Sequence, residues 1–410
     1  MERSYDIVVI GGGAAGFFTA INAAENNPKL QIAILERGKE VLSKVKVSGG
    51  GRCNVTHAQF EPKELSANYP RGEKELLGPF HTFMTGDTIE WFEKRGVPLK
   101  IEEDGRMFPV TDDSQTIIDC FTSEVQRLGI HLLKSQPVRS IEVVDGQWKI
   151  ETTSEVFIAN KVVVASGSNP KVWKLLESLS HTIVPPVPSL FTFNIKDARI
   201  MDLPGIATEA RVEVVHPSGK AILESEGPLL ITHWGMSGPA ILKLSAWGAR
   251  LLEPLQYQFA IRINWLPELS TEAVLEDLME LKTVHPRQTI LKYTQFELPK
   301  RLWQSLVKAS GLDAGEIWAT VTRVKLQNLA DQLTRSYFEV NGKSTFKEEF
   351  VTAGGVDLRE VHFKSFESKQ HKNLYFAGEV LNIDAITGGF NFQNAWTGAY
   401  MVAQAITRNT

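Results

Sequence analysis

Gly11, Gly13 and Gly16 form a Gly-x-Gly-x-x-Gly run, with Ala14 and Ala15 between the last two glycines. That spacing suits a main chain that must turn sharply beside an anion. The first glycine permits the turn, the second lets backbone approach a pyrophosphate, and the third lets a helix pack against a strand. Unpaired N–H groups at the start of the helix, with its dipole, then hold the negative charge. Glu36 follows Gly16 by 20 residues, where a carboxylate closing a second strand accepts from a ribose hydroxyl. The plain alternative is a structural turn followed by a surface glutamate.

Two further segments could do chemistry. Ser48-Gly49-Gly50-Gly51-Arg52-Cys53-Asn54 can form a nest of successive N–H groups beside a cation; a flexible surface loop is the equal alternative. Near the other end, Gly378-Glu379 precedes Thr387-Gly388-Gly389-Phe390-Asn391-Phe392-Gln393. A helix starting near Asn391 would aim its positive end at whatever lies before it. A reduced flavin, negative at N1 and the C2 carbonyl, would be stabilised there; an ordinary helix N-cap is the alternative.

The elements around these segments are the ones the chemistry needs. Residues 5–10 read as a buried strand, 14–25 as an alanine-rich helix and 31–35 as a second strand, one βαβ unit. Helical patterns fall near 73–82, 87–95 and 114–128, and a hairpin near 97–110 turns at Asp104-Gly105. Strands follow near 130–133, 137–144, 147–152 and 155–164, the last running into a polar loop, Ser166 to Pro170. The cluster Pro185-Pro186-Val187-Pro188 marks a boundary. Beyond it the texture changes to short strands near 190–195, 209–216, 220–224 and 256–264, with a helix near 239–247; 268–335 is mostly helical. The end returns to the first texture, with a strand at 373–377 and a helix at about 391–406. A chain that begins and ends alike implies one discontinuous α/β domain with an insertion.

Composition narrows the function class. The chain has 410 residues, 43% of them hydrophobic, and a net charge of −4, ordinary for a globular protein of two or three domains. No Lys/Arg run suggests nucleic acid or a membrane surface. Cys53 and Cys120 form no CxxC pair, so a zinc or dithiol site has no support and no metal is expected. Glu2, Asp6 and the glycine run argue against a signal peptide, no stretch is long and apolar enough to span a bilayer, and a cytoplasmic protein is expected.

Taken together, Gly11-Gly-Gly-Ala-Ala-Gly16, Val47-Ser-Gly-Gly-Gly-Arg-Cys-Asn54, Thr232-His-Trp-Gly-Met-Ser-Gly-Pro239, Tyr375-Phe-Ala-Gly-Glu379 and Gly388-Gly-Phe-Asn-Phe-Gln393 resemble the BaiN/YhiN-type bacterial flavoproteins, NAD(P)/FAD-dependent oxidoreductases. The resemblance runs in order along nearly the whole chain. It implies a Rossmann-like FAD-binding domain from 1–188 and 350–410, an inserted β-barrel domain at 189–267 with a return strand at 336–349, and a small helical insert at 268–335. It further implies that Gly11, Gly13, Ala15 and Gly16 cradle the pyrophosphate, with Ala14 and Gly378 also binding the cofactor. Glu36, Arg37 and, through its backbone, Val138 would serve the adenosine. Lys44 and Ser48 to Asn54 would line the ribityl and ring side, Ala165, Ser166 and Gly167 match the second flavoprotein loop, Glu379 would accept from a ribityl hydroxyl, and Gly389, Asn391 and Gln393 would lie near the pyrimidine edge. Two departures from the family pattern, Leu381-Asn382-Ile383-Asp384-Ala385 and Asn394, bear on substrate identity.

The expected reaction is hydride transfer through flavin N5 to or from a small, largely apolar molecule. Because no second Gly-x-Gly-x-x-Gly appears, NAD(P)H would dock transiently as reductant. An oxygen-using amine-type oxidase and a flavin-bound regulatory protein are the competing functions. No residue is assigned a catalytic role. His233 offers a proton donor, against a plain hydrogen-bonded histidine of the insert. Cys53 reads as packing, and Thr352 to Gly355 as either a turn or a segment near the ring. The sequence leaves the oligomeric state open.

Overall fold

The computed structural model describes residues 2–292, 294–345 and 351–408. The chain divides into two compact units, Met1–Val187 with Val351–Thr410, and Pro188–Phe350.

The first unit is organised by a parallel sheet. Strand β1 (Glu2–Ile10) lies between β2 (Ile32–Leu35) and β4 (Val156–Val164), with β3 (His131–Leu133) beyond β2 and β5 (Leu374–Phe376) beside the end of β4. Every one of these neighbours is parallel. Such strands are covered on both faces, and Ile7 to Ile10, Ile32 to Leu35 and Val162 to Val164 are all buried, the continuous apolar runs that two covered faces require. The register aligns the strand ends: Leu35 pairs with Leu133 and with Ile10, Ile10 with Val164, and Val164 with Phe376. Four loops, starting at Gly11, Glu36, Ala165 and Ala377, therefore leave the sheet at one level.

Helices α1 (Ala14–Asn26) and α2 (Phe390–Arg408) pack together although they belong to opposite ends of the chain. Phe18 of α1 meets Trp91 with ring centres 4.5 Å apart and Trp396 of α2 at 5.3 Å, and Asn22 Oδ1 accepts from Trp91 Nε1 at 3.1 Å. This aromatic core fixes the angle at which both helix N-termini face the strand-end loops.

Two elements add to the sequence reading. The polar loop read from Ser166 ends at Asn169, and Pro170–Ser178, for which nothing was read beyond Pro170, is a helix; the Asn169 side chain caps it and Pro170 fills its first turn. The proline cluster, read as a boundary, holds the division between the two units at Val187 and Pro188, and it is also part of strand Ile183–Ser189, which pairs with Val351–Val356 in a two-stranded sheet. With only two strands each has a free edge, where prolines cost no ladder bond. The same sheet replaces the turn alternative for Thr352 to Gly355: they lie in a buried strand, and a Cβ on Gly354 would come within 2.7 Å of Pro186.

The second unit holds a seven-stranded sheet in the order 336–341, 258–264, 207–215, 221–232, 235–237, 192–194, 343–344, whose first and last strands follow each other in the chain at Gly342. Helices Pro239–Leu252, Thr271–Val284, Lys300–Ala309 and Arg323–Thr334 complete it around one apolar core. The end of the expected return strand, 346–349, and residue 350 lie outside the described residues. Among the described residues no helix is long and apolar enough to cross a membrane.

A buried histidine in the first unit makes stability pH-dependent. His181 Nδ1 lies 2.8 Å from Glu360 Oε2 and Nε2 lies 3.0 Å from Ser368 Oγ. Burial pushes its pKa below the ordinary 6.5, against the opposing pull of Glu360. The native imidazole thus stays neutral at a pH where the unfolded chain already binds a proton. Stability is constant above about pH 6.5 and is lost as pH falls from there towards the native pKa. Urea midpoints should drop between pH 7.5 and 5.5, and His181→Gln should flatten that slope; equal slopes would remove His181 as the cause.

Candidate functional site

At the first strand-end loop, Gly11 sits at φ +121°, and a Cβ there would lie 2.4 Å from the Ala165 carbonyl oxygen. A Cβ on Gly16 would lie 2.0 Å from the Gly11 carbonyl oxygen. Both positions therefore need glycine, the first so that two strand-end loops can touch and the third so that α1 can close on its own turn. Gly13 is different: a Cβ there would meet nothing within 4 Å, and no side chain caps α1. The start of α1 is thus an open, uncapped ring of backbone donors, which fits a diphosphate.

The next loop supplies the carboxylate. Glu36 Oε2 accepts from Gly12 N at 2.9 Å and Oε1 from Gly38 N at 2.7 Å, which orients the group and leaves lone pairs for hydroxyls. Arg37 beside it is exposed. Ser135 N and Gln136 N donate to the Gly38 and Glu36 carbonyls, and this zipper delivers the strand beginning at Val138 to the same place.

The remaining loops meet across long stretches of chain. Lys44 pairs with Glu379, and a Cβ on Gly167 would lie 3.7 Å from Glu379 Oε2. A Cβ on Gly378 would lie 3.1 Å from the Cβ of Ala15, so the fourth loop touches the first helix. Ser166 is half-buried after Ala165 at the end of β4. Segments 11–16, 36–38, 44, 165–167 and 378–379 thus form one crevice outside the ends of the parallel strands, where such sheets bind ligands.

The Ser48–Asn54 loop interrupts helical backbone: the helix Ser43–Gly51 breaks from Ser48 onward, with Gly49, Gly50 and Gly51 all at positive φ. Its charges are engaged within the unit. Arg52 Nη1 contacts Glu102 Oε1 at 2.6 Å and Asp112 Oδ1 at 3.4 Å, and the guanidinium lies 3.9 Å from the Phe108 ring centre. The bond to Glu102 holds it above the ordinary arginine value. Cys53 and Cys120 are buried and free. Burial pushes the Cys53 thiol up to about 12, which suits packing and not redox chemistry.

Asn54 joins this loop to the C-terminal motif. Its Oδ1 accepts from Gly389 N at 3.0 Å, and its Nδ2 donates to Thr56 O at 3.0 Å and Met107 O at 3.2 Å. Trp396 Nε1 donates to Val55 O at 2.9 Å, a second tie. The motif's own side chains hold the fold: Asn391 bonds both backbone groups of Ala385 at 3.0 and 3.2 Å, and buried Gln393 bonds Thr56, Thr88 and Thr397 at 2.6, 3.0 and 3.1 Å. Main-chain groups around Gly389 are what this segment offers a ligand.

Sequence reasoning missed three supports. His57 stacks on Phe390 at 4.5 Å and its Nδ1 lies 3.0 Å from Gly388 O. Tyr69 donates to the Phe390 carbonyl at 2.6 Å. Buried Asp384 pairs with Arg71, whose Nε donates to Oδ1 at 2.5 Å. His57, Tyr69 and Arg71 belong to no recognised motif, and Asp384, although it lies in the Leu381–Ala385 segment noted above, was read there only for substrate identity. His233 is exposed and belongs to the second unit. Among the described residues no group of His, Cys, Asp and Glu could hold a metal ion.

Comparison with known proteins follows this geometry. A family described as "HI0933-like protein Rossmann domain" matches residues 5–405. A Haemophilus influenzae protein named ribosomal RNA dihydrouridine synthase is 28% identical over 100% of both chains. The Escherichia coli protein of the same name is 28% identical over 98% of each. A Clostridium scindens 3-dehydro-bile acid delta(4,6)-reductase is 26% identical over 97% of this chain and 98% of its own. Among solved structures, 3-ketosteroid-delta4-(5alpha)-dehydrogenase from Rhodococcus jostii shares the fold with a TM-score of 0.53 at 12% identity, covering 99% of this chain and 97% of that one. The chain belongs to the HI0933-like Rossmann family of FAD-dependent oxidoreductases.

Proposed function

We propose that this enzyme is an NAD(P)H-linked reductase of a carbon–carbon double bond conjugated to a carbonyl within a flat ring. The observation that carries the reading is the set of end-to-end relatives. Two are named for making dihydrouridine and one for a bile-acid delta(4,6) reduction. A uracil and a 3-oxo steroid alkene differ in size and polarity but share that reacting unit.

The residues on the crevice fit the cofactor this chemistry needs. Backbone donors at Gly11 to Gly16 would hold the diphosphate of FAD, Glu36 with Val138 the adenosine, and Glu379 with Lys44 the ribityl chain. Bound there, FAD would supply hydride transfer through N5 between a nicotinamide and the substrate. The chain's part is to hold the start of α2 beside the site, where its dipole favours negative charge. The Asn54, Thr56 and Gln393 bonds fix that position and so limit reorganisation during reaction. NAD(P)H would dock transiently, since the chain has a single dinucleotide motif. The sheet of the inserted unit would form a β-barrel, with its helices as a small helical insert.

Anaerobic bleaching of the yellow protein by NADPH or NADH, followed by reoxidation with a uridine-containing oligonucleotide or a 3-oxo-Δ4 steroid, tests the reading. The ring that restores the oxidised band names the substrate class. Reoxidation by neither ring, with peroxide formed from an amine in air, would replace the reductase by an oxidase.

A further inference from the structure

The first unit has a cleft, apart from the crevice, whose polar walls are mostly donors that the fold leaves unused. It holds about 300 Å³ and is walled by separate parts of the chain. Thr82 follows helix Glu73–Phe80, Lys364 lies in the turn His362–Phe366, and Tyr375 sits in β5. Met401, Gln404 and Arg408 come from one stripe of α2. Among the described residues, the side chains of Thr82, Lys364, Gln404 and Arg408 have no hydrogen-bond or ion-pair partner. Two cations, an amide and a hydroxyl therefore meet in one cleft with their donors free. The cleft is not part of the crevice. It takes the last turns of α2, whereas Gly389 precedes the start of that helix, and 19 residues at 1.5 Å each separate its ends by about 27 Å.

The negative charges nearby are already answered. Glu367 is the acid on the lining; Asn373 N donates to its Oε1 at 2.8 Å, and the Tyr375 hydroxyl bonds the same carboxylate. An arginine in a last helical turn ordinarily serves the negative end of its own helix. Here the buried Lys161 does so, its Nζ donating to the Ile406 carbonyl at 2.5 Å, which leaves Arg408 to the cleft. A larger cleft of about 520 Å³ in the same unit has the opposite character. Its Glu25 takes Arg95 at 2.6 Å and Arg127 at 2.9 Å, and its Glu124 takes Arg127 at 2.6 Å, so its charges satisfy one another.

We propose that the smaller cleft is a second ligand site and that its occupant is a small phosphomonoester. A phosphate monoester is a dianion rich in acceptors, the complement of two ammonium-type cations beside neutral donors. Lys364 and Arg408 would take its oxygens in charge-assisted bonds, the guanidinium two at a time. Gln404 and Thr82 would complete the shell, and Met401 with the Tyr375 ring would meet the carbon part of the ester. The volume suits a ligand of a few carbons and falls short of a dinucleotide, whose own cradle lies at the other end of α2. The site does not depend on which ring the enzyme reduces.

The test uses the FAD-loaded protein, so that the diphosphate cradle is filled, and labelled inorganic phosphate and ribose 5-phosphate as probes. Equilibrium dialysis should give a single saturable site for the ester, tighter than for phosphate alone. Lys364→Ala and Arg408→Ala should each weaken it roughly tenfold or more, the worth of one charge-assisted bond. Lys364→Arg should keep most of the affinity. Flavin content and thermal midpoint without probe should match wild type in all three variants, since both side chains are exposed and neither touches the crevice. Wild type that binds neither probe, alanine variants that bind as tightly as wild type, or a site that prefers succinate to ribose 5-phosphate would each overturn the proposal.

Discussion

A Gly13→Asp protein is expected to purify colourless and to unfold, without cofactor, at or slightly above the temperature of wild-type apoprotein. Gly13 is the N-cap of α1, with φ −98° and ψ −171°, a conformation any residue adopts. The space beside it is free of protein atoms within 4 Å. Aspartate there caps a helix start that has no side-chain cap, a gain of a few tenths of a kcal/mol over glycine. The same carboxylate occupies the place of the diphosphate. Like charges about 4 Å apart at an effective dielectric near 20 repel by about 4 kcal/mol, or roughly a thousandfold in affinity. Flavin absorbance, FAD titration and thermal unfolding read the two effects separately. Full yellow colour in the variant would place the diphosphate elsewhere. Gly16→Ala would not make this distinction, because its Cβ would strike the Gly11 carbonyl and disturb the fold itself.

Arg71→Leu should be the most damaging single change to the C-terminal half of the crevice. Asp384 is completely buried and Arg71 nearly so. Removing the guanidinium leaves an acid in the interior beside Ile383 and Ala385, and breaking such a pair costs about 3–5 kcal/mol. The damage should also reach the site, because Asp384 adjoins Ala385, which Asn391 grips at the start of α2. Urea unfolding should show the loss, and FAD should dissociate more readily at low denaturant. Replacing both partners with leucine should recover much of the stability, since an apolar pair leaves no buried charge. A single variant within about 0.5 kcal/mol of wild type would mean that solvent reaches Asp384.

The elements that build the parallel sheet were legible because a strand covered on two faces must be a short apolar run ending at a turn. Residues 5–10, 155–164 and 373–377 had that form, and the structure places strands at Glu2–Ile10, Val156–Val164 and Leu374–Phe376. The helix after Asn169 was missed although Asn-Pro is a cap followed by a first-turn proline; the polar residues before it hid the signal. The prolines at 185–188 were legible as a boundary, and the units divide between Val187 and Pro188; the strand through them was not legible, because on a two-stranded sheet a missing donor need face no partner. Side-chain engagement was least legible. Asn391 and Gln393 stood in a motif next to the expected ring, yet their amides bond Ala385 and a trio of threonines. Spacing can bring residues to a crevice; it does not say which of their atoms are already taken.

Because β5 and α2 come from the last stretch of the chain, synthesis imposes an order on assembly. After Val164 emerges from the ribosome, about 210 residues separate it from Leu374. At ~5–20 residues per second that is a wait of roughly 10–40 s. Throughout it, the growing chain holds β4 with its partner missing along Val162 to Val164, and Phe18 without Trp396 to cover it. The inserted segment is complete before the domain that surrounds it. Nascent protein is therefore sticky at a known place for a known time, and it becomes competent to take up its dinucleotide only once residues 374–408 have been made.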